Sequence, residues 1–150
     1  MKRIIAAVLL FALSISTLSA CRKTYDAEEI LSKFVAEYGA EGVIYHSGAA
    51  EGECGYLEPE MLRKIYVIGD RFPGEYAIFL NSHSGYGSEC AVFICQDAEE
   101  QLAAEEAAFE RIRLLSGGEG AFVKRSGSVV FYSTMSDGER AAEIFEKIIK

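Results

Sequence analysis

A chain of 150 residues with 23 acidic and 15 basic side chains carries a formal net charge of −8. That sign removes nucleic acid from the expected partners, because a phosphate backbone calls for a basic patch. Half of the residues are hydrophobic, enough for one packed core and too many for a disordered chain.

The first element is a signal. Met1, Lys2 and Arg3 make a positive head, and Ile4 to Ala20 holds no charge and drifts towards Ser, Thr and Ala at its end. That is the layout of a secretory signal. A spanning helix wants ~20 strongly apolar residues, whereas this run of seventeen is weakened by Ser14, Ser16, Thr17 and Ser19. Its last residues, Leu18-Ser19-Ala20-Cys21, resemble the bacterial lipobox, in which the cysteine thiol accepts a diacylglycerol and then becomes the new N-terminus. The chemistry needs a nucleophilic sulfur with small neighbours. Residues 1–20 are therefore expected to be a lipoprotein signal peptide, Cys21 the lipidation site, 21–25 a short tether and 26–150 a single domain. Two or more acyl chains hold a protein stably on a membrane, and Arg22 and Lys23 would lie among the headgroups. Loss of Lys2 and Arg3 takes the net charge from −8 to −10, which holds the body off an anionic surface.

DAEEILSKFVAEY (26–38) puts Ile30, Leu31, Phe34, Val35 and Tyr38 on one helical face, with Asp26 as N-cap and Gly39 as stop. GVIYHSG (42–48) reads as a strand and 49–55 as a loop. Glu58-Pro59 opens a second helix with Met61, Leu62, Ile65 and Tyr66 inward. YAIFLN (76–81) and ECAVFIC (89–95) form a hairpin around the glycine turn SHSGYGS. The helix DAEEQLAAEEAAFERIRLL follows, acidic in its first turn and carrying Arg111 and Arg113 in its last. AFVKR and SVVFYST (128–134) make a second hairpin, and a helix over 137–149 ends the chain.

The fold class is thus α+β: an antiparallel sheet built from two β-hairpins, each followed by a helix, with the N-terminal helices packing on it. The strands are apolar on both alternating sets, which predicts cover on both faces. The 97–115 and 137–149 helices are expected side by side on one face, and the 26–38 and 58–68 helices on the other. AVFICQDAEE and VVFYSTMSDGER recur at a spacing of 38 residues. This is either a duplication or two copies of a common local motif, and poor identity beyond the strands favours the second.

Taken in order, the lipobox, the first amphipathic helix, Glu60-Met61-Leu62 followed by Ile65-Tyr66-Val67-Ile68-Gly69-Asp70, AVFICQDAEE, the arginine-bearing helix end and VKRSGSVVFYST resemble a family of small lipoproteins. The family is of Gram-positive bacterial type and is defined only as a domain of unknown function. The resemblance covers most of 21–150 and implies the address and the fold, not an activity. Cys54, Cys90 and Cys95 and the insert-like HSGAAEGECG (46–55) are not part of the family pattern.

Four residues near turns, His46, Cys54, His83 and Cys90, are of types that zinc takes in a tetrahedron. Structural zinc ligands usually come in close pairs, whereas seven and six residues intervene here, so no metal and no cofactor is expected. No catalytic constellation appears: the serines belong to turns, and Gly85-x-Gly87 is a hairpin turn. Glu105 falls between Leu102, Phe109 and Ile112 on an apolar stripe, which makes it either a buried carboxylate or a rim residue reaching water. If a disulfide forms it is expected to be Cys54–Cys90, with Cys95 buried and inert. The sequence therefore reads as a lipid-anchored protein on the outer face of a bacterial cell membrane, non-catalytic, serving as a binding or interaction module. Its partners are membrane lipids through the acylated Cys21 and an envelope protein or small ligand. The alternative is an envelope enzyme or metal-dependent factor using Glu105 or the His46/Cys54/His83/Cys90 set.

Overall fold

Asp26 accepts the backbone N–H of Glu29 at 2.8 Å and starts the first helix, as its side chain would at any N-cap. In the computed structural model, which describes residues 24–67, 69–81, 88–115 and 119–150, that helix is α1 (Ala27–Tyr38), closed by Gly39 at φ 79. Strand β1 (Gly42–His46) and the short helix α2 (Pro59–Ile65) follow, then β2 (Glu75–Asn81), β3 (Glu89–Ile94) and helix α3 (Ala98–Leu114). The chain ends with β4 (Phe122–Ser126), β5 (Val129–Ser133) and α4 (Gly138–Ile149). Asp97 and Asp137 cap α3 and α4 in the same way as Asp26 caps α1. The signal segment, Cys21 and His83 lie outside the described residues.

The five strands form one sheet in the order β1-β2-β3-β5-β4, every neighbouring pair antiparallel. The two hairpins meet along β3 and β5, and β1 adds an edge. Alternation divides the sheet cleanly. Ala77, Phe79, Cys90, Val92, Val129 and Phe131 pack with α1 and α4. Ile78, Ala91, Phe93, Val130 and Tyr132 pack with α3 and with Leu57, Leu62 and Tyr66 around α2. Both faces are covered, as continuous apolar strands require.

The pairing of helices differs from the sequence expectation: α3 and α4 lie on opposite faces. Length explains it. Two helices of 12 residues share one face, and helices of 17 and 7 residues share the other, so each side of the sheet receives comparable cover. Had the two C-terminal helices, of 17 and 12 residues, shared one face, helices of 12 and 7 residues would have had to cover the other. The two strand-strand-helix units also become opposite in hand, and no rotation superposes them. They are two uses of one local motif.

Helix α3 corrects a second expectation. Its inward row is Ala104, Ala107 and Ala108, whereas Leu102 and Phe109 are 57% and 60% exposed. Small side chains let this helix settle onto a face already filled by the rings of Tyr66, Phe72, Phe93 and Tyr132, which pack with centroids 5.3–6.3 Å apart. Met61, expected inward, is likewise exposed.

Candidate functional site

The strand ECAVFI opens on a carboxylate, and in the fold that carboxylate is buried: Glu89 is 3% exposed. Its Oε1 accepts from Arg111 Nε at 2.7 Å and from the Tyr132 hydroxyl at 2.5 Å, while Oε2 accepts from Arg111 Nη2 at 2.7 Å. The Tyr66 hydroxyl lies 2.6 Å from that of Tyr132. Because Tyr132 donates to Glu89, Tyr66 is the donor in this pair. Each element contributes one member: β3 brings Glu89, β5 brings Tyr132, the last turn of α3 brings Arg111, and Tyr66 follows α2. Thr134 completes the corner, accepting from Glu89 N and donating its own N–H to Glu89 O, both at 2.9 Å.

This arrangement is a clamp between helix and sheet. A two-point arginine–carboxylate pair fixes orientation as well as adding energy, and here it ties the end of α3 to the sheet. Both Glu89 oxygens are engaged, and among the described residues no buried side-chain polar atom lacks a hydrogen-bond partner. Burial pushes the Tyr66 and Tyr132 phenols well above their ordinary range, and the nearby Glu89 charge pushes both the same way. The hydrogen bonds to Glu89 raise Arg111.

The two phenols carry a pH consequence. In the unfolded chain tyrosines lose their protons near pH ~10, whereas the folded state holds them protonated. Folding therefore gains from these groups below that pH and loses the gain as pH rises through it. The urea midpoint is expected to fall between about pH 8 and about pH 11, and to fall less steeply in Tyr132→Phe. A midpoint that holds constant across that range would contradict the buried phenol pair.

Among the described residues, those singled out in the sequence do not assemble. Glu105 lies at a rim with its side chain 26% exposed, 3.7 Å from Arg125. His46 ends β1 with Nδ1 3.3 Å from a Glu28 carboxylate oxygen. Cys54 is exposed in the loop before α2, Cys90 is wholly buried within the α1/α4 core, and both are free thiols. The expected Cys54–Cys90 pairing is thus not formed in this structure; Cys90 is the second residue of a central strand, with its side chain wholly buried, and not part of a turn free to adjust. His83 lies outside the described residues, and among those described no three His, Cys, Asp or Glu side chains are grouped to hold a metal ion.

Cys95 is 2% exposed, and burial, followed by the charges of Glu100, Glu105 and Asp97, pushes its thiol up to about 12. Burial raises Cys90 as well. Thiolate is the reactive species, so among these three a thiol reagent at neutral pH is expected to modify Cys54 alone in the native protein. Peptide mapping would show Cys90 and Cys95 labelled only after denaturation. Native labelling of either would contradict their burial.

One cleft of about 400 Å³ opens along the seam between α3 and the segment after α2. Val67, Phe72, Ala103 and Ala107 give it a mostly apolar lining, and Asp70, Arg71, Glu106 and Glu110 stand around it. A second, more polar cleft of about 440 Å³ lies where the chain enters the domain, beside Thr24, Tyr25, Glu75 and Gln96. That entry end also holds the end of β1 and the start of β2, with Ala27 N–H donating to Glu75 at 3.2 Å. The Glu89–Arg111 clamp is at the opposite end of the strands.

No protein-family model, curated protein or solved structure matches this chain. Among the described residues no helix is long and apolar enough to cross a membrane. The signal for the clamp was present in the sequence: an acid at the head of an otherwise apolar strand, and an arginine in line with the inward alanines of α3.

Proposed function

We propose that the protein is a lipid-anchored extracytoplasmic lipoprotein of the bacterial envelope whose domain serves as a non-catalytic binding or interaction module. The observation that carries this is Leu18-Ser19-Ala20-Cys21, which closes an uncharged run with a positive head. The likeness to small lipoproteins of unknown function points the same way. Two features of the fold support the module reading. The carboxylates best placed for chemistry are engaged, Glu89 by Arg111 and Tyr132 and Glu105 beside Arg125. The first helix of the domain begins at Ala27, so the tether from Cys21 spans at most ~20 Å at ~3.5 Å per residue. The entry end of the strands then faces the bilayer.

In cells fed labelled palmitate, the wild-type protein is expected to take up the label. Cys21→Ser is expected to lose it entirely and to accumulate as the unprocessed precursor. Label on the Cys21→Ser protein would overturn the assignment.

A further inference from the structure

Helix α3 carries a row at four-residue spacing, Leu102, Glu106, Glu110 and Leu114, and residues so spaced are neighbours on a helix surface. Its two apolar ends are 57% and 58% exposed. The middle of the row, Glu106 and Glu110, lines one wall of the seam cleft and Leu102 and Leu114 extend it beyond either end; the other wall carries Val67, itself 73% exposed, and the lining includes Phe72, Ala103 and Ala107. Two cations stand nearby and both are engaged: Arg71 with Glu99 at 3.0 Å and Arg113 with Glu110 at 2.7 Å. Among the described residues no cation pairs with Asp70 or Glu106. The cleft is therefore apolar at its base and flanked by Leu102 and Leu114, with the carboxylates of Asp70 and Glu106 unpaired across its middle.

From this pattern we infer that the seam between α3 and Val67, Asp70 and Phe72 is a docking surface for a cationic amphipathic helix of a partner protein. The inference deepens the binding-module reading by naming the partner's chemistry and the surface that receives it. An apolar side chain of the partner enters between Val67 and Ala103, and its lysines or arginines meet Asp70 and Glu106. From Leu102 to Leu114 the row extends ~18 Å at ~1.5 Å per residue, which suits about three turns of a partner helix laid in a groove. Apolar contact supplies affinity, and the acidic middle selects a basic partner and speeds its approach. An anionic helix is excluded by the same charges.

The test uses the full chain in nanodiscs of zwitterionic lipid, with empty discs as the blank. The probes are two fluorescent 14-residue amphipathic peptides, one of leucine and lysine and one of leucine and glutamate, followed by anisotropy. The leucine–lysine peptide is expected to bind and the leucine–glutamate peptide not to bind. Binding is expected to weaken at least tenfold in Glu106→Lys/Glu110→Lys, and at least tenfold in Ala103→Trp, which fills the cleft without changing charge. Glu139→Lys/Glu143→Lys, exposed on α4 across the sheet, is expected to change it less than twofold. Absence of binding, equal binding of both peptides, or equal weakening by the α4 pair would overturn the inference, the last because it marks general attraction to an acidic protein. Cys21→Ser is expected to leave peptide binding unchanged, so failure of the lipid anchor and failure of the docking surface give different results.

Discussion

Phe131→Ala is expected to destabilise the domain by about 3–5 kcal/mol, the range for removing a buried aromatic ring from a core. Phe131 is wholly buried at the middle of β5. Its ring stacks on Phe145 of α4 at 4.4 Å between centroids, and meets Phe34 of α1 at 4.9 Å and Phe122 of β4 at 5.8 Å. One side chain thus joins both helices of that face to the sheet, and cavity formation adds to the lost transfer energy because three rings cannot all move in. A domain of this size has about 5–15 kcal/mol in total, so the variant should unfold at a much lower urea concentration. Phe109→Ala is the control: with its side chain turned to solvent, it is expected to change stability by less than about 0.5 kcal/mol. Equal costs for the two would mean that the faces have been assigned wrongly.

Arg111→Met is expected to cost a similar amount, about 3–5 kcal/mol, for a different reason. It leaves the Glu89 carboxylate buried with only the Tyr132 hydroxyl and backbone around it. Most of that cost belongs to the orphaned charge and not to the lost attraction, since two buried ions gain from each other little more than their dehydration takes away. Adding Glu89→Gln to Arg111→Met should therefore restore most of the stability, because an amide can stay buried with Tyr132 at far lower cost. Urea midpoints of the single and double variants decide the matter. If the double variant is as unstable as Arg111→Met, the pair contributes through something other than its charges.

These two residues also show what could be read from the chain and what could not. The strands and caps were legible because their signals are local: Asp26, Asp97 and Asp137 each precede a helix whose backbone N–H groups they accept. The doubly apolar strands foretold a sheet buried on both sides. Which helix went to which side was not local, since it depends on the summed cover each face needs. On α3 large apolar residues do not mark the inward face, because alanines there let the helix approach a layer of aromatic rings. Spacing alone does not join Glu89 to its partners, which come from 22 and 43 residues away. Periodicity alone places Glu105 on an apolar stripe, of which Leu102 and Phe109 face water while Ile112 packs against the core.

The most direct measurement is the mass of the N-terminal peptide of the protein isolated from the membrane fraction of its own cells. The lipoprotein reading predicts a chain that begins at Cys21 and carries the mass of a thioether-linked diacylglycerol, released by lipase as free fatty acid. A chain that keeps Met1 to Ala20, or one that begins elsewhere with an unmodified Cys21, would contradict it.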